Sequence, residues 1–89
     1  MDDRDSLILE QHLIVGMYAH RAATYKYIAA ELLDEAGRRW SQGETEVATF
    51  LRDVLVGRYE DRAGVSRQEQ TKARRKLEEL EANEEAAVE

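Results

Sequence analysis

No proline occurs anywhere in the 89 residues, so no ring forces a helix to kink or stop. Apolar residues meanwhile return at three- and four-residue intervals over most of the chain, the spacing of one helix face. A chain of this kind folds as helices, and what remains to be read is where they end. Ser6, Ser41 and Ser66 are its only serines, and each stands just before a helix-period segment. Ser41 is followed three residues on by Glu44, and Ser66 by Glu69, the spacing at which a hydroxyl and a carboxylate cap each other's backbone N–H groups. Gly37 and Gly64 stand where a left-handed residue would close a helix. These signals predict an all-α fold with helices near 6–36, 42–62 and 66–86, the first two forming an antiparallel hairpin and the third a charged helix.

A single small domain, 1–89, is expected, with 84–89 an acidic frayed tail. The absence of cysteine excludes a disulfide framework and a cysteine zinc site. No apolar run approaches the roughly 20 residues of a membrane span. The start, MDDRDS, is acidic where a signal peptide would be basic, so a cytoplasmic protein is expected. A net charge of −6 argues against non-specific binding to nucleic acid or anionic lipid.

The expected second helix has one apolar stripe: Val47, Phe50, Leu51, Val54, Leu55 and the stem of Arg58. The first helix differs. Leu7, Ile14, Tyr18, Ala22, Tyr25, Ala29, Leu32 and Ala36 share one face, while Leu9, Leu13 and Met17 lie on the other side of its first half. A helix that is apolar nearly all round is buried on both sides. Gly16, Ala19, Ala23 and Ala30 add a row of small residues that lets another helix come close. Ala73, Leu77 and Leu80 give the third helix little with which to cover that surface.

The hinge Arg38–Gly43 is short enough only for a tight reversal. Helices of about 31 and 21 residues would then leave Leu7–Gly16 overhanging by roughly 15 Å. Both arguments place a protein interface at Leu7, Leu9, Leu13, Ile14 and Met17.

The residues offer little for catalysis. His12 and His20 have no acidic or cysteine partner at helical spacing, and His20 shares a face with Leu9, Leu13, Tyr27 and Glu31, which suits a buried, hydrogen-bonded ring. There is no Gly-rich phosphate loop and no nucleophile–base pair. No enzyme activity, cofactor or metal is expected.

Two stretches resemble known motifs. Trp40, between the first two helices, is placed like the tryptophan of small helical secretion substrates with a Trp-x-Gly turn. Here the turn is Trp40-Ser41-Gln42-Gly43, one residue longer, and the family's C-terminal Tyr-x-x-x-Asp/Glu signal has no counterpart. Trp40 is read instead as closing the end of the core. Ala63-Gly64-Val65-Ser66 resembles the turn of helix-turn-helix regulators, and Arg67, Gln68, Lys72, Arg74 and Arg75 would then face DNA. Glu60 and Gln70 stand where that motif has a small apolar and a buried aliphatic residue.

The leading expectation is a non-enzymatic protein–protein interaction module. It would self-associate as a homo-oligomer, or act as adaptor or inhibitor of a larger assembly, like a phage or plasmid accessory protein. The alternative is a helix-turn-helix transcriptional regulator using 59–76.

Overall fold

A computed structural model describes the backbone from Asp3 to Val88 and the side chains from Asp3 to Asn83. The described residues are helical apart from one short reversal. α1 spans Asp3–Ser41. The chain then turns and enters α2, Thr45–Phe50, which passes through a π-helical turn, Leu51–Leu55, directly into α3, Val56–Val88. The last three segments are continuous, so the molecule consists of two arms, α1 and 45–88.

The arms lie side by side in opposite directions. Gln11 reaches the backbone of Ala73 and Arg4 that of Asn83, while the Tyr25 and Tyr59 rings meet at 6.1 Å, tilted by 43°. The result is a rod of 68 × 18 × 14 Å.

The reversal is set by Gly43 rather than by Gly37. Gly43 has φ 82°, a conformation that costs a residue with a Cβ roughly 1–2 kcal/mol. Its N–H donates to the Trp40 carbonyl at 3.1 Å, and the N–H of Glu44 donates to that of Arg39 at 2.9 Å. This nested pair satisfies carbonyls that α1 leaves open at its end. Arg39 reinforces the turn by donating to Glu35 at 2.7 Å and to Glu44 at 2.9 Å.

None of the serines caps a helix. Ser6 lies inside α1. The Ser41 hydroxyl donates back to the Gly37 carbonyl at 3.1 Å, and the residue preceding α2 is Glu44, which makes no side-chain cap. Ser66 is buried in mid-helix. A third helix beginning at 66 is therefore not found, and the helix runs unbroken through Gly64. The reason lies in packing across the seam. Ala63 is fully buried and Ser66 nearly so, and facing α1 outweighs the roughly 1 kcal/mol that a mid-helix glycine costs.

That continuity also removes the overhang. Residues 73–83 run beside Arg4–Gln11, so the first turns of α1 have a neighbour on one side. For residues 84–89, the backbone is helical through Val88; their side chains, and Glu89 altogether, lie outside the described residues, as does the expected acidic tail in that respect.

The seam between the arms is thin. On α1 it holds Gln11, Ala22, Ala29 and Ala36, with Tyr18, Tyr25 and Leu32 half-buried beside them. The three alanines are seven residues apart, the repeat that keeps one stripe facing a partner over many turns. On the second arm the buried positions are Ala48, Val56, Ala63, Ser66, Ala73 and Leu77. From Val56 onward these keep the same repeat, but Ala48 and Val56 are eight apart. The π-helical turn absorbs the additional residue: the Val56 N–H bonds five residues back, to Leu51, instead of four. Its insertion displaces the stripe expected at 47–58. Val47 and Phe50 are exposed and Ala48 and Val56 buried, with Leu51, Val54 and Leu55 between and Arg58 exposed.

Candidate functional site

With both arms packed, α1 still has an uncovered side. Leu13 is 67% exposed, and Leu7, Leu9 and Met17 are exposed as well. Ile14 differs: it is half-buried and lines a shallow groove between the arms with Gln11, Tyr18, Glu69, Lys72, Ala73 and Lys76. Of the five residues expected at an interface, four are thus on the outer surface and one belongs to the seam. His20, expected to be buried, is exposed, as are Tyr27 and Glu31 on the same face. Among the described residues nothing covers this face of α1.

The heptad repeat extends the uncovered region along the whole helix. Leu9, Gly16, Ala23, Ala30 and Gly37 recur every seven residues and are all exposed. Three residues after each stand His12, Ala19, Lys26, Leu33 and Trp40, exposed except for the half-buried Ala19. This second stripe lies beside the buried one and has the same alternation of spacings. A Cβ added at Gly16 or Gly37 would meet nothing within 4 Å, so neither glycine is required by the second arm.

Trp40, read as closing the core, is 55% exposed. It borders a groove of about 270 Å³ with Leu33, Ala36, Gly37, Ala48 and Arg52. The nearby charges form a closed set. Glu35 accepts from Arg39 at 2.7 Å and from Arg38 at 2.7 and 2.9 Å; these bonds, from Arg39 first, hold its carboxyl below the usual carboxylate range. The Arg39 guanidinium is pushed up by its bonds to Glu44 and Glu35.

Arg67, Gln68, Lys72, Arg74 and Arg75 are all exposed. On a continuous helix, at 100° per residue, they fall within an arc of about 160° on the side away from the seam and follow no turn. Lys72 is engaged by Glu69 at 3.2 Å, and Arg67 borders a groove with Ala19, Ala23, Lys26 and Tyr27. The turn that a helix-turn-helix needs at 63–66 is helical here.

One residue was passed over by sequence reasoning. Gln11 is buried, and its Nε2 donates to the carbonyl oxygen of Ala73 at 3.1 Å. Its signal was the seven-residue series Gln11, Tyr18, Tyr25, Leu32, which places it on the seam. Across the arms, His12 Nε2 lies 3.3 Å from a Glu81 carboxylate oxygen. Among the described residues no group of three or more His, Asp or Glu side chains is placed to hold a metal ion, and no helix is long and apolar enough to cross a membrane. No protein family, curated protein or solved structure matches the chain.

Proposed function

We propose that this chain is a non-enzymatic protein–protein interaction module that binds through the outer side of α1. The carrying observation is the exposure of Leu9, Leu13 and Met17 after both arms have packed. Soluble monomers rarely leave contiguous apolar side chains in water unless something covers them. The surface total points the same way. A compact monomer of 10.2 kDa exposes about 5,300 Å², whereas this chain exposes 6544 Å². The excess, about 1,200 Å², exceeds the roughly 800 Å² that each partner buries in a standard interface. In this reading it is a cytoplasmic accessory protein, of the kind phages and plasmids carry, that self-associates or docks on a larger assembly.

Leu13→Asp tests it. The expected variant is soluble and helical by circular dichroism, with a smaller assembly mass by light scattering or with its partner no longer retained. Loss of all helicity would place Leu13 in the chain's own core and remove the reading.

A further inference from the structure

We infer that a second copy of the same chain occupies the outer stripe of α1, its own α1 lying antiparallel against it; Leu9 belongs to this stripe, Leu13 flanks it and Met17 lies off it. The inference rests on the proposed interaction role and goes further by naming partner, orientation and register.

The stripe is complementary to itself. In an antiparallel pair related by a two-fold axis, a residue of one α1 stands level with one on the other whose number falls as its own rises. A single register matches the two heptad series throughout. Gly16 then stands opposite Leu33 of the second copy, His12 opposite Gly37, Ala19 opposite Ala30, and Ala23 opposite Lys26. The first two layers set the larger side chain against glycine, and the third sets alanine on alanine, so backbones can approach as closely as they do along the alanine seam between the arms. Lys26 lays its alkyl stem across Ala23, and its ammonium reaches past the seam to water. Leu9 and Trp40 close the two ends.

Self-complementarity of one patch is what a two-fold dimer requires. A parallel pair lacks it, because it sets glycine on glycine at 16 and 37, leaves voids there, and stacks Lys26 on Lys26.

The area agrees. In this register residues 8–41 of the two α1 helices, each spanning Asp3–Ser41, lie alongside one another over about 51 Å at 1.5 Å per residue; with a contact strip about 12 Å wide, the pair buries roughly 600 Å² per copy. That is the lower end of a standard interface, about 600 Å² per partner, and lies within the excess surface of the lone chain. The product is a four-helix bundle in which the two α1 helices form the centre.

The natural chain has no cysteine, so introduced cysteines report the register without background. Ala19→Cys and Ala30→Cys are prepared as separate full-length variants and oxidised alone and mixed. The expected results are a disulfide-linked dimer in the mixture, little from either variant alone, and twice the chain mass for wild type by light scattering. Strong linkage of either variant alone would mean a parallel pair and overturn the inference. So would a wild-type dimer linked in none of the three samples, because another face would then be in use; both results leave the interaction role standing. A wild-type monomer at about 100 µM overturns the inference, and the effect of Leu13→Asp on binding to other proteins then decides the broader role by itself.

Discussion

The side-chain amide of Gln11 crosses the seam to the backbone of Ala73, donating to its carbonyl oxygen at 3.1 Å. It is the buried polar side chain of α1, placed in a row otherwise made of alanine and half-buried aromatic and aliphatic residues. A carbonyl has two lone pairs, so Ala73 can keep its helix bond and accept this one as well. A single directional bond in a thin, repetitive seam fixes which residue stands opposite which. Gln11→Leu, which keeps most of the volume, is expected to remain within about 1 kcal/mol of wild type, because both polar demands at that point are then removed or met elsewhere. Gln11→Ala should cost about 1–2 kcal/mol through the lost bond and the space left behind. Urea unfolding of the two variants measures the contrast.

Gly43 and Gly64 should respond in opposite directions to alanine. Gly43 has positive φ, so Gly43→Ala is expected to destabilise by about 1 kcal/mol or more. Gly64 sits in an unbroken helix, and a Cβ there meets nothing within 4 Å. Gly64→Ala should therefore raise stability by up to about 1 kcal/mol. A drop in the melting temperature of Gly64→Ala would restore the helix end that the sequence suggests at that point.

Glu35 makes the turn acid-sensitive. Its carboxyl is held below the usual range chiefly by Arg39 and then by Arg38. A carboxylate with a depressed folded-state pKa stabilises the fold above its unfolded-state value, and that contribution is lost as the pH falls through the folded-state value. The stability difference between wild type and Glu35→Gln should thus be steady near neutrality and close up as the solution is made acidic. A difference that instead grew on acidification would contradict the turn geometry.

The π-helical turn predicts an unusual tolerance. Removing Asp53 shortens the Ala48–Val56 interval from eight residues to the regular seven, so an ordinary helix can bury both. Deletion of Asp53 is expected to leave a cooperatively folding helical protein within about 1 kcal/mol of wild type. Deletion of Asp61, outside that turn, rotates everything beyond it by about 100° and takes Ala63, Ser66 and Ala73 off the seam. Thermal melts of the two deletions, followed by circular dichroism, should separate clearly.

Much of this arrangement was legible. The spacing of Ala22, Ala29 and Ala36 marks the inner face of α1, and the surround of Leu9, Leu13 and Met17 marks an outer face that the described residues leave uncovered. The helix ends were misread where local signals competed. Gly37 and Gly43 both suit a helix stop, and only the hydrogen bonds of Arg39 and Trp40 select the second. Ser66 with Glu69 satisfies the local capping rule, yet a continuous seam with Ala63 at its centre outweighs it. The burial of Ala48 in place of Val47 and Phe50 follows from one inserted residue, which periodicity over a short segment does not reveal.

The two-armed form also dictates the order in which the molecule comes apart. Facing residues are 12 apart in sequence near the turn, at Ala36 and Ala48, and 79 apart at Arg4 and Asn83. A contact at the turn closes a short loop, whereas one made alone at the tips would close a long one and gain only the contact of a thin seam. The rod therefore behaves as a zipper with one fastened end. Amide protons near the tips exchange first, and protection climbs steadily toward the turn, because each layer opens only after those beyond it have parted. The expected folding order is the reverse, from the Arg39–Glu44 turn layer by layer out to the tips, an order that pulsed hydrogen exchange during refolding checks.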